Sequence, residues 1–336
     1  MRKLLVTTLL LAACGGGGGE SISLAEYPDA AREAFCKFLV RCGDIESLDV
    51  CTTANIGLNI HIPSSLQAGI DMSKVKFSGT AAGDCLDALA NQSCDTTAQS
   101  SRVPPDACSQ LITGTRHNGD TCAIDAECVS QVCDVTDCDP SAACCMGTCM
   151  GEAAPAPVQI GQSCVTAACV PSGFCEDASE TCMPLKTANA ACNATRECAY
   201  GLACLGTCQA LPALGQACTD LCRDEGTTCS ATTQTCVKVA LAGGSCTPNG
   251  LISECSPLYE CDATGHCSAG VAIGQPCSFG DLCAGNTAFC DVPIGQDAGM
   301  CSLPRPNGSA CARDAACQSA FCDPVSLTCV PEPICT

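Results

Sequence analysis

The chain of 336 residues has no tryptophan, three tyrosines and seven phenylalanines. A chain of this length ordinarily holds two or three domains, and each needs large side chains to fill its interior. That material is missing, so one large apolar core is excluded. The 47% hydrophobic content does not restore it, because much of the figure is alanine and cysteine. Cations are equally scarce: 15 Lys and Arg stand against 35 Asp and Glu, a formal charge of −20. A phosphate backbone requires a basic face, and none can be assembled from so few scattered cations, which excludes nucleic acid as a partner. The acidity reads as a solubility device for an exposed surface.

Cys-x-x-Cys is absent as well, since no two cysteines lie three apart. That spacing is the usual half-site of zinc ribbons and of thioredoxin-like redox centres. Histidine occurs only as His61, His117 and His266, with no serine or carboxylate pattern around them, and all three read as solvated surface residues. The chain is therefore expected to be no enzyme and to hold no cofactor. Acidic loops at Asp134 to Asp139, Glu176 to Glu180 and Asp220 to Glu225 match neither the EF-hand nor the nonapeptide calcium spacing and read as solvated turns. Calcium at these loops is left open.

What the chain has instead is cysteine, 39 residues of it, which passes the composition expected of a disulfide scaffold and points to an oxidising compartment. On the chain-entropy account, closing a loop of ~15 residues stabilises by about 3 kcal/mol, so regular cross-links can replace a core.

Residues 1–13 read as a signal peptide, with Arg2 and Lys3 before the short apolar stretch Leu4 to Leu11, which is too short to span a bilayer. The run Leu11-Ala12-Ala13-Cys14 resembles the lipobox of bacterial lipoproteins. That resemblance implies cleavage after Ala13, lipid on the Cys14 thiol and attachment to a membrane, the outer membrane being favoured because Gly15 rather than Asp follows. Several acyl chains would make the attachment lasting. Gly15 to Gly19 supply a flexible tether, so residues 14–22 are read as anchor and tether. Setting Cys14 aside leaves an even number of cysteines, able to pair completely.

Residues 23–115 read as a small α-helical module tied by bridges among Cys36, Cys42, Cys51, Cys85, Cys94 and Cys108, whose pairing the sequence does not choose. Ala31, Phe35, Phe38, Leu39 and Cys42 share a helical face, with Pro28 in the first turn and Gly43 as the stop. Ala82, Cys85, Leu86 and Leu89 form a second such face, with Ser78 or Thr80 as cap. Pro104-Pro105 ahead of Cys108, Leu111 and Gly114 predict a short closing helix. No assignment is made for Leu58 to Phe77.

From residue 116 to 336 the chain repeats itself in seven cysteine-rich units of mostly irregular structure, short strands and turns. Each opens with a residue three places before a cysteine: Gly119, Gly161, Asn189, Gly215, Gly243, Gly274 and Gly308. Asparagine ranks next to glycine in tolerating positive φ, so Asn189 marks the position as a left-handed turn. The opening unit is irregular, with Cys122, Cys128, Cys133, Cys138, Cys144, Cys145 and Cys149. The others carry quartets: Cys164, Cys169, Cys175 and Cys182; Cys192, Cys198, Cys204 and Cys208; Cys218, Cys222, Cys229 and Cys236; Cys246, Cys255, Cys261 and Cys267; Cys277, Cys283, Cys290 and Cys301; Cys311, Cys317, Cys322 and Cys329. Cys335 stands alone. Parity leaves two options: Cys335 folds back to a distant unit, or one of the seven pairs into the helical module. The apolar stretches near Ala153 to Ile160 and Val237 to Leu241 read as linkers between units.

The segments Cys122-Ala-Ile-Asp-Ala-Glu-Cys128 and Cys311-Ala-Arg-Asp-Ala-Ala-Cys317, each followed by a cysteine five residues on, resemble the Dickkopf amino-terminal cysteine-rich repeat and the related EB module. Such repeats occur in tandem on predicted myxobacterial lipoproteins after a short helical cysteine domain. The resemblance implies a lipid-anchored cell-envelope protein and transfers no partner. Units of about 30 residues with little apolar surface are expected to touch mainly their neighbours, as an elongated rod for adhesion, spacing or contact with an unidentified protein or matrix ligand. The alternative is a ligand-binding or inhibitor protein whose helical module is the binding site.

Overall fold

The computed structural model describes residues 20–54, 62–136, 145–153, 156–165, 167–248, 254–278, 282–284, 288–293, 295–331 and 334. The expected leader and anchor (Leu11, Ala12, Ala13, Cys14 and Gly15 to Gly19), His61, Cys138, Cys144 and Cys335 lie outside the described residues. Small disulfide-bonded sheets and a few helices make up the fold.

The amino-terminal module is built on α1 (Tyr27–Cys42). Pro28 sits in its first turn, where the missing N–H is harmless. Gly43 ends it at φ 86°, its N–H turned back to the Leu39 and Val40 carbonyls. After α2 (Leu48–Ala54) and α3 (Ser64–Asp71) comes strand β1 (Val75–Phe77), then α4 (Gly79–Ala90). Of the two candidate caps it is Ser78 whose hydroxyl accepts from the Ala81 N–H, at 3.2 Å. Ala31 and Ala34 of α1 meet Leu86 of α4.

The short closing helix after Pro104-Pro105 is present but ends early. Asp106–Ser109 is helical, and the chain then forms β2 (Ile112–Gly114), antiparallel to β1 with Val75 opposite Gly114. Of the residues read there at helical spacing, Cys108 lies in that turn of helix, Leu111 follows it and Gly114 ends a strand whose partner, β1, falls in the stretch without periodicity. The module is thus not purely helical. Its bridges are Cys36–Cys51, Cys42–Cys94 and Cys85–Cys108. All six cysteines pair among themselves, which removes the option of a bridge from the first repeat into the module.

The repeats follow one plan. The turn residue has positive φ in every unit, from 68° at Asn189 to 88° at Gly119 and Gly308. Its N–H donates to the carbonyl of the unit's last cysteine, as from Gly161 to Cys182 and Asn189 to Cys208. A Cβ at the six glycines would meet nothing within 4 Å, so conformation alone, not crowding, selects the residue. The last two cysteines of a unit face each other across a hairpin, as Cys175 opposite Cys182 and Cys322 opposite Cys329.

They do not bond to each other. In every quartet the first cysteine joins the third and the second joins the fourth, as in Cys164–Cys175 with Cys169–Cys182 and Cys311–Cys322 with Cys317–Cys329. The opening unit keeps the pattern with Cys122–Cys133 and Cys128–Cys149, and Cys145 is disulfide-bonded too. The sulfurs are the core: Cys122, Cys128 and Cys149 are wholly buried and pack on one another. Val237 lies in strand Cys236–Lys238, paired with Thr228, and is therefore not part of a linker.

Replacing Gly215 by Val puts a β-branched residue at φ 82° and is expected to destabilise unit four by about 1–2 kcal/mol. Asn189→Gly should change stability by only a few tenths of that. Thermal melting, with peptide mapping of the Cys218–Cys229 bridge, checks both.

Candidate functional site

Three carboxylates give the repeats a polar interior. Glu127, Glu197 and Glu254 each immediately precede the second cysteine of their unit, and all are buried. Each accepts from the N–H following the first cysteine: Ala123 at 2.9 Å, Asn193 at 3.2 Å and Thr247 at 2.7 Å. Asp125 and Asp314 accept from the N–H of the third cysteine, Cys133 at 2.6 Å and Cys322 at 2.8 Å. The Asp common to the two motif segments therefore pins the hairpin to the turn before it. Nothing in the cysteine spacing revealed the glutamates. Their signal was a Glu directly before the second cysteine in three of seven units.

The glutamates also join units. Glu127 meets Lys74 of the helical module at 3.4 Å. Glu197 meets Lys186 at 2.5 Å, and that ammonium holds its carboxyl below the usual range. Lys186 also lies over the Phe174 ring of the preceding unit, 5.6 Å from its centre. With Arg196 and Asp177, paired at 2.5 Å, these side chains border a cleft of about 340 Å³ between units two and three. Both cations in it already have carboxylate partners.

The larger assembly of side chains is the seam between the helical module and the repeats. Arg102 donates to the Thr195 and Cys198 carbonyls of unit three at 2.8 and 2.9 Å and stacks over Tyr200. Backbone bonds run from Gly201 to Thr97, from Thr96 to the Arg223 carbonyl and from Glu225 to the Cys94 carbonyl. Gly226 lies so close that a Cβ there would sit 2.3 Å from the Cys42 carbonyl. Leu258 of unit five packs on the module's core of Phe38, Leu39 and Ile45, and Tyr259 donates to the Glu46 carboxylate. Burial and that carboxylate push the Tyr259 hydroxyl up to about 12. The units therefore do not touch only their neighbours: units one, three, four and five all contact the module. For units three and four the reason is that the module's polar edge (residues 94–102) offers both carbonyl acceptors, at Cys94 and Thr97, and donors, at Thr96 and Arg102, to the backbone of the repeat turns.

At the same seam Asp44, 5% exposed, faces Glu225. Burial first, then Glu225, push the Asp44 carboxyl up to about 6, with the Gly226 N–H opposing. The other charges nearby are Arg223, held by Asp224 and Asp95, and Lys238 over Gly43.

Other chemistry is not brought together. His117 and His266 are exposed and belong to units one and five. Sulfur triplets such as Cys122, Cys128 and Cys149 lie within 4.8 Å, yet each is a crossing of two disulfides, and a metal needs thiolates. Of the acidic loops, Glu176 accepts from Ser179 in an ordinary turn, while Asp224 and Glu225 enter the seam. Bridges along the whole chain fit an oxidising, extracytoplasmic compartment. Among the described residues no helix is long and apolar enough to cross a membrane.

Arg102→Ala is expected to weaken the seam by about 1–2 kcal/mol, read as faster amide exchange at Gly201. In metal-free buffer Asp44 keeps its proton when folded to about pH 6 but releases it near 3.8 when unfolded. The folded state thus binds more protons in that window, and stability should fall as pH rises through it. Asp44→Asn should flatten that slope in melting curves taken from pH 4 to 7.

No family model matches the chain, and neither does any curated protein or solved structure.

Proposed function

We propose that the chain is a non-enzymatic lipoprotein of the cell envelope, lipidated at Cys14. In this reading its disulfide repeats form a covalently braced scaffold for adhesion, spacing or protein contact at the surface. The observation that carries this reading is the junction of Leu11-Ala12-Ala13-Cys14 with a glycine tether and then a chain bridged along its length. A lipid anchor and oxidised cysteines require the same side of the inner membrane, so the two features support one another. The outer membrane is the proposed destination, with Gly15 as the supporting residue. Every described cysteine is bridged, so none of them offers the thiolate a nucleophile needs, which supports a mechanical role. The likeness to tandem Dickkopf and EB repeats agrees with it.

The seam weakens the rival view that the helical module is the ligand-binding part. Its residues 94–102, Arg102 and the Leu258-facing core are already engaged by the chain's own repeats. The repeats offer the longer exposed surface to a partner. Val325 and Leu327 at the last hairpin and Leu303 before it are among its apolar residues.

Metabolic labelling with palmitate is expected to mark the wild type and to leave Cys14→Ser unmarked, with the wild type in the outer-membrane fraction. Unlabelled wild-type protein defeats the anchor. Alkylation under denaturation before reduction should find essentially no thiol, and many thiols would defeat the scaffold.

A further inference from the structure

We propose that Asp44 and Glu225 form a calcium site that clamps the helical module to unit four. Asp44 lies two residues beyond α1 and is 95% buried, and its Oδ2 has no hydrogen-bond partner. The carboxyl of Glu225 lies against it. Two acidic side chains therefore meet at this seam, Asp44 buried and Glu225 half-exposed.

A third source of negative potential points the same way. A 16-residue helix ends two residues before Asp44, where its last carbonyls carry the negative end of the dipole. One of them, the Cys42 carbonyl, lies close to Gly226, the neighbour of Glu225.

No cation among the described residues answers this field. Among the described residues no lysine or arginine nitrogen lies within 4.0 Å of either carboxylate. Arg223 is committed to Asp224 and Asp95, Arg41 to the Ala90 and Gln92 carbonyls, and Lys238 lies over Gly43 at the rim. An unpartnered carboxylate oxygen buried among negative groups draws a cation.

The donors are all oxygen: two carboxylates and a backbone carbonyl. That set suits a hard ion of flexible geometry, which is calcium, rather than zinc or copper, which seek imidazole or thiolate. Water completes the shell from the Glu225 side, which is only half-buried. Few protein ligands and two carboxylates place the affinity with extracellular calcium modules, about 10⁻⁴–10⁻³ M. The donors come from residues 44 and 225, so calcium would join parts of the chain that spacing motifs cannot connect.

The test uses the full mature chain at pH 7.5 in 0.15 M NaCl, with CaCl₂ alone as probe. Titration calorimetry gives stoichiometry, and amide exchange at Glu225, whose N–H bonds the Cys94 carbonyl, reports the seam. One ion per chain should bind, and with a Kd near 1 mM that amide should exchange about sixfold more slowly at 5 mM calcium than in chelator. Asp44→Asn and Glu225→Gln should each remove this ion and this slowing. Glu225→Gln, on a half-exposed loop, decides the matter if Asp44→Asn does not fold. No binding at 5 mM overturns the proposal, as does binding that both variants leave intact. A seam that answers to pH between 4 and 7 but not to calcium means the pair holds a proton only, and overturns it equally.

Discussion

Each repeat depends on one constraint: two disulfides that cross, first cysteine to third and second to fourth. The loops they close are 10 to 21 residues in sequence separation, a range in which a bridge removes a few kcal/mol of unfolded-chain entropy. The bridges also do what side chains do elsewhere, because the interior of a unit is its own sulfur. A chain without tryptophan and with few phenylalanines can therefore hold seven ordered units. Around that centre the backbone needs few further instructions. A left-handed turn hands its N–H to the last cysteine, and a carboxylate or hydroxyl ties the hairpin to the preceding turn.

Those units would have little to say to one another without their charged side chains. Lys186 over Phe174, and Arg313 over Phe289 with its nitrogen on the Cys290 carbonyl, are the same device used at two junctions. A cation from one unit covers the aromatic ring of the unit before it. In a chain so poor in both cations and rings, their coincidence at junctions shows where the scarce residues are spent. The helical module extends the principle sideways, with Arg102 over Tyr200.

The sequence made legible whatever depends on local spacing. Pro28 and Gly43 announced the ends of α1, Ser78 or Thr80 the start of α4, and Asn189 marked a turn because few other residues enter that region of φ. Quartets showed that bridges exist but not which, since first–third and second–fourth pairing is one of several options four cysteines allow. What depends on contacts far along the chain stayed hidden. Leu111 to Gly114 looked helical because its partner strand, Val75–Phe77, lies 37 residues away in register. The seam was invisible for the same reason: Asp44 and Glu225, or Arg102 and Cys198, carry no mutual signal in sequence. Glu127, Glu197 and Glu254 were visible as letters, but a glutamate beside a cysteine acquires meaning only once the adjoining N–H is known to need an acceptor.

The crossing of the bridges bears on how the chain would withstand proteases outside the cell. A cut between the first and second cysteines of a unit leaves the pieces joined through the first–third bond. A cut at the hairpin tip leaves them joined through the second–fourth bond, and a cut between the second and third leaves both. Within a unit, then, a single nick opens the backbone without releasing a fragment. Between units, at stretches such as Pro184 to Thr187 or Ser302 to Arg305, one scission would cross no bridge of the repeats, and there the docked module and the cation-ring junctions are what hold the pieces together.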